Sequence, residues 1–311
     1  LHRRQWSSRI SALRPLCGLI LSGAATLAFA GCGDSQTNDV PGPDLGKKIA
    51  KLQRKVERQK KVADVEGMLA GLPGVSGLVV GAPGPGAPDV SAGEFTTGDA
   101  WSTIKVPIAE RVLADAGGPE GLTAAQADEI SRAITLSDND AAADLFEGIE
   151  RAHGGLSGGS EAVGEMLRQA GDEETVISTE GRGSFSTYGQ TDWSLANQFR
   201  YMAALAGGCV SDQASRSYLF DEMGRVGGSD SYGLGAAGVP ARWKGGWGPG
   251  PDGRYLVRQM GVMDLGAKRV VIAMAAIPDD GTFESGQAML SDIAGWSASH
   301  LADEVSVPAR C

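Results

Sequence analysis

Histidine is almost missing from this sequence: His2, His153 and His300 are the three in 311 residues. Scattered in this way they offer no metal cluster, and no metal or other cofactor is expected. Lysine is just as scarce beyond Lys61, where only Lys105, Lys244 and Lys268 follow, against thirteen arginines. A solvated surface position takes Arg as readily as Lys, but only Lys can give up its proton within reach of neutral pH. Cysteine is limited to Cys17, Cys32, Cys209 and Cys311. The longest apolar run, residues 16–30, is too short for a comfortable membrane-spanning helix. There is no internal repeat, and the 46 glycines show no collagen-like period. Positive charge is short in the main body, where residues 65–311 carry 16 basic against 33 acidic side chains, a net of −17. That balance argues against nucleic acid as a partner.

What is present at the N-terminus reads as an export signal. Arg3, Arg4, Arg9 and Arg14 precede the apolar run, which ends Leu27-Ala28-Phe29-Ala30-Gly31-Cys32. Small residues immediately before a Cys resemble a bacterial lipobox. The expectation is a signal peptide over 1–31, cleavage before Cys32 and lipidation of its sulfur. The protein would then sit outside the cell, lipid-anchored to the outer face of the cytoplasmic membrane. Cys17 would leave with the signal and Cys32 take the lipid, so Cys209 and Cys311 remain as a disulfide pair suited to an oxidising space.

Residues 32–64 form a second section, with a polar tether over 33–46 followed by a basic helix from Lys47. Ile49, Leu52 and Val56 repeat at helical steps, and the other faces carry eight basic side chains from Lys47 to Lys61. Such a helix either adds a hold on anionic lipid or packs as a solvated helix on the domain. The third section, 65–311, is the main domain. It reads as a strand over 75–82, a Gly/Pro turn, a short strand over 94–97 and helices from 102 to about 224. Strands over 241–247, 254–265 and 269–277 follow, then an amphipathic helix over 283–301. Strands at both ends with helices between predict an α+β fold.

Two of the three late lysines have chemical surroundings. Ser102-Thr103-Ile104-Lys105 places a hydroxyl and an amine one helical turn apart. With Ser102 at a helix start, the macrodipole favours developing negative charge and disfavours an ammonium. Ser137-Asp138-Asn139 follows an amphipathic segment over 122–136, and Lys244-Gly245-Gly246 lies on a predicted strand. In this order the three motifs resemble those of the penicillin-recognising serine enzymes, most closely the class A β-lactamases. The resemblance covers nearly all of residues 65–305. It implies an antiparallel five-stranded sheet flanked by helices, with a helical lobe.

The resemblance also implies roles. Ser102 is the acylated nucleophile and Lys105 its activating base. Ser137 relays a proton to the leaving group, Asn139 holds the substrate amide and Lys105, and Asp138 braces the loop. Lys244 supplies positive potential and a hydrogen bond to Ser137. The backbone N–H groups of Ser102 and Trp247, the latter beside Gly246, form the oxyanion hole. Three departures stand against this pattern. The stretch between Ser102 and Ser137 is short, so part of the helical lobe is trimmed. Gly245 stands where the family has a hydroxyl residue that binds the substrate carboxylate. The deacylating Glu should fall within about 172–190, where Glu180 is the candidate but is followed by Gly-Arg-Gly.

Gly155-Leu156-Ser157-Gly158-Gly159 matches the nucleophile-elbow string of α/β-hydrolases, but no strand precedes it, and it reads as a flexible loop ending in the helix cap Ser160. Trp101, Trp193, Trp243 and Trp247 read as core or cleft walls. The expectation is a monomeric serine hydrolase acting through a Ser102 acyl-enzyme. Its substrate would be a small-molecule or peptide amide or ester, with β-lactams and cell-wall peptides as candidates. The alternative is a catalytically degenerate binding or scaffold lipoprotein that keeps the fold and turns over nothing.

Overall fold

The computed structural model describes residues 43–301 and 305–311. The expected signal segment, Cys32 and most of the tether lie outside the described residues. Helix α1, Pro43–Ala70, begins earlier than the expected Lys47. Pro43 explains the difference, because proline at the first helical position gives up an N–H that would be unpaired anyway and presets φ. Along α1, Leu45, Ile49, Leu52 and Val56 are exposed, whereas Val65 and Leu69 near its end are buried in the core.

Five strands form one antiparallel sheet in the order β2-β1-β5-β4-β3. They are β1 Gly74–Gly81, β2 Val90–Gly93, β3 Ala241–Pro249, β4 Tyr255–Leu265 and β5 Lys268–Pro278. The sheet is assembled from both ends of the domain, as the α+β reading requires, because β1 pairs with β5 from Gly74↔Pro278 to Gly81↔Val271. β4 and β5 are buried along nearly their whole length, so both faces are covered and the apolar runs are close to continuous. The short strand expected at 94–97 lies instead at Val90–Gly93. Gly93 takes φ +95°, and a Cβ there would meet Ser76 O at 2.4 Å. The chain therefore turns out of the ladder at that residue.

Between the strands lie α2 Lys105–Ala116, α3 Ala124–Thr135, α4 Asn139–His153, α5 Leu156–Gln169, α6 Leu195–Gly207 and α7 Gln213–Met223, and α8 Phe283–His300 closes the chain. α6 packs against β1, β4 and β5, and α8 packs against β4 and β5. The glycine-rich string at 155–159 is not a loop. Gly154 ends α4 in the left-handed region, Gly155 caps α5, and Ser160 is buried inside that helix rather than capping it. Two adjacent glycines at positive φ reverse the chain so tightly that no residues are left over for a loop. The Cys209–Cys311 disulfide is present and joins the end of the chain to the segment after α6.

Candidate active site

The nucleophile candidate is set by a short 3-10 turn, Trp101–Ile104, that runs directly into α2. Trp101 holds φ +48°, a conformation uncommon for a bulky side chain. The segment before it is clamped from the sheet. Arg258 of β4, fully buried, donates to Gly98 O at 2.7 Å and Asp99 O at 2.9 Å, and to Trp193 O and Gln198 Oε1. Arg258 was not singled out in the sequence, because nothing in its neighbours marks a strand arginine that points inward.

Register brings β3 to the same place. Lys244, Gly246 and Gly248 face the Ser102 turn, since a Cβ on Gly246 would lie 2.8 Å from Ser102 N and 2.9 Å from Thr103 N. One on Gly248 would enter the Trp101 ring at 2.4 Å. These glycines are needed for close approach, which allows an edge strand to lie against the nucleophile's own backbone. β3 is the sheet edge, so alternate N–H groups point away from β4.

The Ser137 loop closes the constellation. Ser137 sits at φ +56° between α3 and α4. Its Oγ accepts from Lys244 Nζ at 2.9 Å, and Lys244 Nζ also donates to Gly245 O at 2.8 Å. Lys105 Nζ donates to Ser137 O at 2.7 Å, to Asn139 Oδ1 at 2.7 Å and to Asp138 O at 3.2 Å. Asp138 braces the loop by capping α4, its Oδ1 accepting from Asp140 N and Ala141 N, and it pairs with Arg132. Ser137 thus touches both lysines, one through its carbonyl and one through its hydroxyl.

Burial, and then the neighbouring Lys244 charge, push Lys105 down to about 6. Burial pushes Lys244 down to about 8, opposed by the nearby Asp230 carboxylate. Desolvation is therefore the leading cause of a neutral Lys105, and its position at the first residue of α2 sets the helix dipole acting in the same direction. A neutral amine has two N–H groups, enough for the two 2.7 Å bonds, and keeps a lone pair for a proton. Among the described residues Ser102 Oγ has no hydrogen-bond partner, so its proton is uncommitted.

Ser102, Lys105, Ser137, Asn139 and Trp247 line one cavity of about 500 Å³. Glu180 does not line it. Glu180 is exposed, with its backbone N–H held by Ser178 Oγ and its carbonyl accepting from the same hydroxyl. The loop that carries it brings Ser184, Phe185 and Ser186 to the cavity instead. Gly245 faces the opposite side of β3, where a Cβ would lie 3.1 Å from the buried Tyr232 Oη. Of the four tryptophans named from sequence, Trp101 and Trp247 are cavity walls, while Trp193 and Trp243 are core.

Solved structures share this architecture. The β-lactamase of Sphaerobacter thermophilus superposes with a TM-score of 0.58 at 19% identity, over 79% of this chain and 98% of that one. The TLA-3 extended-spectrum β-lactamase gives 0.63 at 15% identity, over 78% and 99%. PBP-A gives 0.59 at 19% identity, over 80% and 96%. The fold is that of the class A β-lactamases and PBP-A. No protein-family profile and no curated protein matches the sequence. The five-stranded sheet, the helical block and the closing helix expected from the three motifs are all present in that fold.

Proposed function

We propose that this chain is a serine hydrolase that acts through a Ser102 acyl-enzyme on an amide or ester bond. The observation that carries the reading is that Ser137, Lys105 and Asn139 share one cavity with Ser102, with Lys105 bonded to Ser137 and Asn139 and the buried Lys244 donating to Ser137 from behind. Neutral Lys105 takes the Ser102 proton as Oγ attacks the carbonyl carbon. The resulting oxyanion lies against the backbone N–H groups of Ser102 and Trp247; one such donor is worth about 3 kcal/mol of barrier. The proton returns through Ser137 to the leaving nitrogen or oxygen, and the acyl group remains on Ser102. Hydrolysis of that ester then needs water. With Glu180 outside the cavity, no carboxylate from that loop activates it, so deacylation is the slow step and the acyl-enzyme accumulates.

The same placement of Glu180 favours a second reading, a binding or scaffold lipoprotein that has kept the site without turnover. Intact-protein mass after exposure to a fluorophosphonate separates the two. A single adduct that disappears in Ser102→Ala supports the nucleophile. No adduct with any serine-directed reagent sinks the enzyme. β-Lactams and cell-wall peptides remain candidate substrates, and a chromogenic cephalosporin time course distinguishes a stoichiometric burst from turnover.

Export and lipid anchoring at Cys32 belong to the same proposal. The disulfide suits an oxidising compartment. The exposed apolar stripe of α1, set among basic residues, suits the surface of an anionic bilayer. Cys32→Ser should move the protein from the membrane to the soluble fraction; unchanged partition would remove the lipobox.

A further inference from the structure

Helix α1 is apolar on two different faces. Val65 and Leu69, in its last turns, are buried in the core, with Val62 packed against it. Ile49, Leu52 and Val56 are 45%, 62% and 64% exposed. At about 100° per residue, these three form a stripe about 150° round the helix from Val65 and Leu69. The stripe therefore does not continue the face that packs on the domain, and folding leaves it in water. Three large apolar side chains aligned at helical steps are more than the scattered exposure usual on a protein surface.

The charges say what covers it. From Lys47 to Lys61 the sequence has eight basic residues and a single acid, Glu57, whereas residues 65–311 are net negative by 17. By the same angular count, Lys48 and Lys55 border the stripe on one side and Lys60 on the other. Pairing two such stripes in a coiled coil would set these lysines against one another across the seam. An anionic lipid surface suits both parts, because apolar side chains enter the acyl boundary while lysines reach the headgroups. No helix among the described residues is long and apolar enough to cross a membrane, so α1 lies along such a surface rather than through it. Ten residues separate Cys32 from Pro43, a reach of no more than about 40 Å, so a lipid on Cys32 brings the helix to that surface.

We infer that α1 docks along the surface of an anionic bilayer through Ile49, Leu52 and Val56, as a second contact beside the Cys32 lipid. The inference deepens the anchoring reading and takes its compartment from it, but the contact itself does not need the lipid. One short stripe with a basic flank gives a reversible hold, weak enough that Cys32→Ser still releases the protein at physiological salt. With the lipid in place, the helix meets the surface at high effective concentration and the contact forms.

Vesicle co-sedimentation tests it, with residues 32–311 carrying Cys32→Ser, the chain that the expected cleavage leaves, without its lipid. That chain keeps every described residue and omits the acyl group and the apolar run over 16–30, which would bind vesicles by themselves. At low salt, binding to vesicles of phosphatidylglycerol and phosphatidylcholine should be about tenfold stronger than to phosphatidylcholine alone, and high salt should remove it. Leu52→Gln with Val56→Gln, and separately Lys51→Gln with Lys55→Gln, should each weaken it severalfold. All four sites are exposed and glutamine suits a helix, so the urea midpoint should hold. Equal binding to both vesicles, or unchanged binding in either double variant, would overturn the docking. Self-association without vesicle binding, abolished by the Leu52 and Val56 pair in sedimentation velocity, would assign the stripe to a second copy and overturn it as well. The anchor is read separately, by membrane partition of the whole chain with and without Cys32→Ser. Release by Cys32→Ser without vesicle binding leaves the lipid and rejects α1; vesicle binding with partition unchanged by Cys32→Ser leaves α1 and rejects the lipid.

Discussion

Lys105 and Lys244 are both buried amines, yet their hydrogen bonds give them different work. Lys105 is lowered to about 6, so it is mostly neutral at pH 7 and free to take a proton. Lys244 is lowered only to about 8 and stays largely charged there. As pH rises through about 6, the fraction of neutral Lys105 grows and acylation should accelerate. As it rises through about 8, Lys244 loses its charge, the positive potential at Ser137 falls and the rate should decline. A bell-shaped profile of fluorophosphonate labelling with limbs near these values is expected, each limb belonging to the coupled pair. A rate that climbs steadily to pH 10 would show that the Lys244 charge is not needed. At the same scale, Gly246→Ala would place a methyl 2.8 Å from Ser102 N and 2.9 Å from Ala100 O, both backbone atoms that cannot rotate away. The expected cost is about 1–3 kcal/mol of stability together with loss of labelling, read by urea unfolding and adduct mass. Retained labelling would mean that β3 can move back without harming the site.

Two distant elements meet at Ser102, and Arg258 is what joins them. Its guanidinium ties β4 to the 98–99 segment and to Trp193 and Gln198, which flank α6 or lie within it. Arg258→Met would take the guanidinium donors from Asp99 O, Trp193 O and Gln198 Oε1, while Gly98 O keeps Trp193 N; with each lost buried partner costing about 1–3 kcal/mol, a loss of about 3 kcal/mol is expected in stability read from denaturant unfolding. Arg258→Lys, a point charge without the fork, should recover only part of it. If Met is tolerated within about 0.5 kcal/mol, the clamp is not holding the turn. This contact explains what was legible in sequence and what was not. Ser102, Lys105, Ser137, Asn139 and Lys244 could be read because they lie in three short motifs in a recognisable order. Arg258 and Phe185 could not, since long-range pairing, which no local window contains, sets where they point. The error at 155–159 has the same source. Glycines read locally as freedom, but at Gly154 and Gly155 they serve a tight reversal between two packed helices. The strand expected at 94–97 lies earlier because Gly93 ends the ladder where it packs against the backbone of β1, a close approach that local residue pattern does not show.

For the molecule as a whole, the last residues are bound back onto the domain rather than trailing from it. Val305 is buried, Ser306 N donates to Asp89 Oδ2 at 3.0 Å, and Ala309 N donates to Pro83 O at 3.2 Å. The Cys209–Cys311 bond then closes a loop with a sequence separation of 102. Closing so long a loop restricts the unfolded chain more than a short one would, and removing it should cost about 2–4 kcal/mol. Cys311→Ser is therefore expected to lower the thermal midpoint by several degrees, by an amount that reductant reproduces in the unmodified protein. Neither cysteine lines the cavity around Ser102. Labelling of the folded variant at 25 °C should accordingly proceed at the original rate, with the loss appearing only as temperature or denaturant opens the domain. A slower adduct at 25 °C, with the thermal midpoint unchanged, would place the tail in the chemistry of the site instead of in the stability of the fold.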